Sequence, residues 1–170
     1  AALALGAWEE ALEAPGRYGG GLLLWTPERA GRPLLEGGKV EAFFRHAERV
    51  AHPSPRLRLL LALGHRMRGE LDRGLAVLEG FPEEDPALLA EALLAQGTLL
   101  GLKGAHGEAE DVFSQGVALG ETPLRARFLT SRGAARIRLG RYREAAEDLE
   151  EALFLSRKER LKEVEALALH

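Results

Sequence analysis

The chain has no cysteine and no asparagine, one methionine, and only two tryptophans and two tyrosines in 170 residues. Without cysteine there can be no disulfide, no thiol nucleophile and no cysteine-based zinc site, which fits a cytoplasmic protein. Only four of the 23 basic residues are lysines. Scarcity of thermolabile residues points to a thermophile, although a GC-rich genome gives the same bias. Long apolar runs are also missing. The stretch Leu59 to Leu63 falls far short of the about 20 residues that cross a membrane. No signal peptide is visible and the first residue is Ala1, so the sequence reads as an internal cut from a longer protein.

Motifs for chemistry are lacking too. The histidines His46, His52, His65, His106 and His170 never fall four apart, and there is no HExxH, so no metal site is expected. The run Gly16 to Gly21 lacks the Lys-Ser/Thr ending of a phosphate-binding loop, so no nucleotide or other cofactor is expected. Ser54, Ser114, Ser131 and Ser156 have no histidine at motif spacing, and no catalytic residue is assigned. These absences argue against an enzyme.

What is present is a period. Gly6, Gly38, Gly69, Gly104 and Gly140 are spaced 32, 31, 35 and 36 residues apart, and each precedes a helix-like stretch. With no strand pattern, that interval means stacked helical hairpins. Four cap-plus-proline pairs mark helix starts: Thr26-Pro27, Ser54-Pro55, Asp85-Pro86 and Thr122-Pro123. The first side chain of each pair can accept a free N–H of the first turn, and proline at the next position loses nothing. The unit is therefore cap, helix A, glycine turn, helix B.

In phase with the glycines come small and large residues. Gly133, Gly140, Ala145 and Leu149 match Gly97, Gly104, Ala109 and Phe113, and a further step gives Ala62, Gly69, Gly74 and Leu78. Small residues let the two helices approach, and large ones such as Tyr142, Phe113, Leu149 and Leu78 fill the space between units. This spacing resembles the tetratricopeptide repeat. Two positions depart from that family, since Arg132 and Arg136 stand where Leu and Tyr are usual. The resemblance implies an all-α, right-handed α-solenoid forming a single array over 1–170. It divides into a partial repeat (1–14), a degenerate repeat (21–52) whose helix A is crowded by Pro27 and Pro33, repeats at 55–85, 90–123 and 126–157, and a partial repeat (158–170) read as a severed helix A.

Charge is unevenly distributed. Net charge is −3, yet residues 82 to 111 hold seven acids and one lysine, while residues 125 to 143 hold seven arginines and no acid. The acidic stretch beside the arginines opposes phosphate, so direct nucleic-acid binding is not expected. Glu147, Asp148, Glu150 and Glu151 are expected on a solvated face, with Arg143 linked to Glu147.

In the tetratricopeptide family helix A lines a concave groove. Carrying its positions across gives Arg56, Leu59, Leu63, Arg66 and Met67; then Glu91, Leu94, Thr98 and Leu102; then Arg127, Thr130, Ala134, Ile137 and Arg138. The function implied is protein–protein interaction, with a partner peptide or helix docked in this groove and its acidic residues selected by edge arginines. The family's chaperone-binding members clamp a terminal carboxylate with Lys and Asn on helix A, which this chain lacks at the matching positions. The divergent array also resembles those of large bacterial transcription regulators, which implies transcription regulation through a further domain. The alternative is a self-associating or ligand-sensing module of such a regulator, with a homodimer formed through exposed terminal repeats.

Overall fold

The structure, a computed structural model, describes residues 27–169, with side-chain surroundings from residue 31 onward. The partial repeat expected at 1–14 and the glycine-rich stretch after it lie outside the described residues. Eight helices occur among the described residues and no strand: α1 (Pro27–Glu36), α2 (Val40–Ala47), α3 (Pro55–Met67), α4 (Leu71–Leu78), α5 (Pro86–Leu102), α6 (His106–Ala118), α7 (Arg125–Arg138) and α8 (Tyr142–Ala168). The chain divides into two compact units between Pro82 and Glu83.

Each helical hairpin closes by the same turn. Gly38, Gly69, Gly104 and Gly140 have φ between 76° and 83°, a region open to glycine at little cost. The N–H of the next residue bonds back to the carbonyl five residues earlier: Lys39 to Leu34, Glu70 to His65, Ala105 to Leu100 and Arg141 to Arg136, at 2.8–2.9 Å. These bonds satisfy carbonyls that the helix end would otherwise leave open. The interval first seen as recurring glycines is thus one hairpin turn used four times.

Two of the cap pairs behave as their chemistry requires. Ser54 Oγ accepts the Leu57 N–H at 3.2 Å, and Asp85 Oδ1 accepts from Ala87 and Leu88 at 3.0 and 3.3 Å. Thr122 does not cap. Helix α7 starts later, at Arg125, because Thr122 turns back to bond its own N–H to Gly120 and its carbonyl accepts from Arg125. Pro33 does not exclude a helix A in the first hairpin either. Helix α1 continues through it, at the expense of one intrahelical N–H bond.

The N-terminal unit, α1 to α4, has an apolar core of Leu34, Leu35, Phe43, Phe44, Leu57 and Leu60. Two glycines open space for the rings. A Cβ on Gly31 would meet Phe43 at 2.8 Å, and one on Gly64 would meet Phe44 at 2.9 Å. In the C-terminal unit, α6 packs on both α5 and α7, and α7 packs on α8. The same device recurs: Phe113 lies against Gly97, Phe128 against Gly116, and Leu149 against Gly133. Ala109 and Ala145 are fully buried where paired helices touch.

The end of the chain departs from the expected pattern. No turn separates a partial repeat at 158–170; α8 runs unbroken for 27 residues. Its sequence from Ser156 to Leu167 holds neither Gly nor Pro, so nothing stops the helix. Tyr142 does not fill an interior space, being 68% exposed, whereas Phe113 and Leu78 are buried as expected. Leu149, at 37% exposed, is only partly covered, by its packing against Gly133.

Candidate functional site

Six of the seven arginines on and around α7 sort into two groups by geometry. Arg125, Arg132 and Arg136 lie on one side of the helix and are committed. Arg125 donates to the carbonyls of Val117, in the last turn of α6, and of Gly120 just past it, and to Glu151 on α8 at 2.9 Å. Arg132 grips Asp148 with both arms of its guanidinium at 2.9 and 2.7 Å, and also reaches Ser114. Arg136 donates to Asp148 at 2.8 Å and to Glu110 at 2.9 Å, and Arg141 closes the cluster on Glu110. The result is a ring of charge joining α6, α7 and α8.

This arrangement corrects the expectation for Asp148 alone on α8, since Glu147, Glu150 and Glu151 are exposed as expected. Asp148 is only 4% exposed and Glu110 only 7%. The two arginines that replace the family's Leu and Tyr are the reason. Their guanidinium groups occupy the seam between helices and need buried acids to match them. Burial would push the Glu110 carboxyl up, but the hydrogen bond from Arg136 and the charge of Arg141 hold it below the usual carboxylate range. Glu151, too, is held by Arg125, while the expected link from Arg143 to Glu147 does not form.

The second group faces outward. Arg127 and Arg138 are exposed and carry no ion pair among the described residues. Beside Arg138 on α7 stands Ile137, 45% exposed, and α5 ends in Leu102, 59% exposed. Thr130 and Ala134 are also exposed, with Thr130 Oγ1 turned to the Ala126 carbonyl at 2.8 Å. On α5, Glu91 is exposed, Leu94 is buried, and half-buried Thr98 donates to the Leu94 carbonyl. The expected groove positions of the C-terminal unit therefore fall on two contacting helices, α5 and α7. They offer apolar side chains next to unpaired cations. Leu94 belongs to the interior instead.

Those expected on α3 belong to the N-terminal unit. Arg56, Arg66 and Met67 are exposed, whereas Leu63 packs against the core and Leu59 is half-buried. The neighbouring Arg58 is not available to a ligand. It ties α3 to the end of α4 through the Val77 and Glu79 carbonyls and lies 5.2 Å from the Phe81 ring centre. Arg68 is likewise engaged, stacked 3.7 Å over Phe44 and paired with Glu41 at 2.7 Å. Of the histidines, His65 is a core residue, against the Phe44 ring and 3.4 Å from Glu70. Among the described residues no group of His, Asp or Glu converges as metal ligands, and no helix is long and apolar enough to cross a membrane.

Sequence reading missed one surface in part. The second half of α8 lies open: from Leu153 to Leu169 every residue but Leu155 is exposed. Beside it a trough of about 1030 Å³ runs along residues 121–126, lined by Glu121, Arg125, Arg157, Arg160 and Glu163 among others. Its signs are mixed. The apolar positions of this half were visible in the sequence, but an uninterrupted α8 was not.

The hairpins, their glycine turns and the small-to-large packing define an all-α helical repeat of the tetratricopeptide type. A crystal structure of MamA is similar, with a TM-score of 0.71 and 19% identity over 92% of this chain and 88% of that one. A second MamA structure (MamA MSR-1 C2) aligns with a TM-score of 0.38 and 17% identity over 78% of this chain and 96% of that one. No protein-family model matches the sequence, and no curated protein does.

Proposed function

We propose that the chain is a docking module for a partner helix or peptide of acidic, amphipathic character, received on the α5–α7 face of the C-terminal unit. One observation carries this reading. Of the arginines on α7, Arg132 and Arg136 are consumed by buried acids and Arg125 by Glu151 and two carbonyls, whereas among the described residues Arg127 and Arg138 stand exposed and unpaired beside Ile137, with Leu102 exposed on the contacting helix. Exposed apolar side chains supply affinity by burial, and unpaired cations select acidic neighbours and speed encounter. Arg56, Arg66 and Met67 on α3 offer the same chemistry on the N-terminal unit. A cytoplasmic, regulatory setting is part of this proposal.

The test is selection from a displayed library of amphipathic helical peptides of graded charge. Acidic members should be enriched. Their affinity should fall with Arg127→Glu/Arg138→Glu, less so at high salt, and should be unmoved by Glu147→Gln/Glu150→Gln. Enrichment of basic peptides, or equal loss in both variants, refutes the assignment.

A further inference from the structure

The open half of α8 carries a seam that the peptide-docking face does not use. Phe154, Arg157, Leu161, Val164 and Ala168 are spaced three, four, three and four residues apart. That is the alternation by which one stripe of a helix faces a second helix continuously. All five are exposed, Phe154 at 65% and Leu161 at 64%. The flanking charges are ordered. On one side of the stripe stand Lys158 and then Glu165, seven residues on, and neither has an ion partner among the described residues.

We propose that this stripe is the interface for a second copy of the chain, with the two α8 helices running antiparallel. Charge decides both occupant and direction. In an antiparallel pair, Leu161 layers on Val164 of the second copy and Arg157 on its Ala168. Lys158 then faces Glu165 of the second copy, twice by symmetry. A parallel pair would set Arg157 directly against its own counterpart in the apolar seam, an uncompensated like-charge contact. The sequence is thus its own complement in one orientation and clashes with itself in the other. The interface is isologous and closes at two copies. A seam of two heptads gives weak association, so the dimer depends on concentration.

The absence of cysteine makes the test clean. Sedimentation from micromolar to submillimolar concentration should show a monomer–dimer equilibrium. Leu161→Glu/Val164→Glu should leave only monomer, with circular dichroism confirming that the fold is kept. Lys158→Glu should weaken the dimer, and adding Glu165→Lys to it should restore the original strength. Under oxidising conditions, an equal mixture of Arg157→Cys and Ala168→Cys chains should form the mixed disulfide. Ala168→Cys alone should not, because antiparallel pairing puts its two thiols about 16 Å apart along the axis. A chain that stays monomeric at every concentration overturns the proposal. So does a dimer that survives Leu161→Glu/Val164→Glu, a double charge swap that fails to restore association, or cross-linking of Ala168→Cys by itself.

Discussion

The two units build the same hairpins from opposite materials. In the N-terminal unit α1 to α4 close over Phe43 and Phe44, rings seated against Gly31 and Gly64 and backed by leucines. In the C-terminal unit Phe113 and Phe128 do part of that work, but the seam joining α6, α7 and α8 is held by Arg132, Arg136, Asp148 and Glu110. Helical-hairpin geometry therefore does not dictate the chemistry of its seams. It asks for matched volumes and satisfied polar groups, and an arginine-carboxylate cluster meets that demand as well as a leucine does, provided every member is present.

The two materials should break differently. Phe43→Ala should cost the most, about 3–5 kcal/mol, the usual loss for emptying a ring-sized site. The loss, read by chemical denaturation in urea, should be nearly independent of salt and pH. Asp148→Ala should cost about 3 kcal/mol, because it leaves Arg132 without a carboxylate and Arg136 with Glu110 as its one buried acid in the seam. The sharper test replaces the cluster outright. Arg132→Leu/Arg136→Tyr/Asp148→Leu, with Glu110→Gln to relieve the remaining acid, should melt near or above the parent. If it melts as low as Asp148→Ala alone, the cluster contributes stability and not merely mutual satisfaction.

Next in size is Ala145→Leu, which forces bulk into a fully buried helix contact at about 1–3 kcal/mol, against a small change for exposed Arg143→Leu. Equal melting temperatures would contradict the close approach of α7 and α8. The smallest effect is on pH. Because the Glu110 pKa is lowered on folding, its contribution is complete above the ordinary glutamate value of about 4.3 and is lost as pH falls through the folded value. Glu110→Gln should therefore flatten the acid side of the stability profile of the C-terminal unit. An unchanged acid limb would rule out Glu110 as the titrating group.

Much of this architecture could be read in advance. Gly38, Gly69, Gly104 and Gly140 mark the turns because only a left-handed backbone position selects so strongly for one residue. Gly97 with Phe113, and Ala145 at the helix contact, followed from the repeat phase. What resisted reading depended on partners distant in sequence. Arg132 and Arg136 lie 16 and 12 residues from Asp148 and meet it only after α7 and α8 pack. A charged residue on a helix looks solvated until its neighbours are known, so Asp148 reads as a surface acid and is not. The groove residues divide for the same reason: Leu63 and Leu94 share a pattern with Met67 and Leu102, yet packing takes the first two inward and leaves the second two in water.

The ion cluster has a consequence for how such arrays are assembled and inherited. Apolar seams are nearly interchangeable, and a leucine-lined hairpin will stack on most others of its kind. Glu110 on α6, by contrast, is answered by Arg136 and Arg141 on the hairpin that follows. A hairpin lacking those arginines, inserted after α6, would strand a buried carboxylate. The contact works as an address: it fixes which module follows which, so duplication or shuffling within the array is tolerated only when acid and arginines travel together.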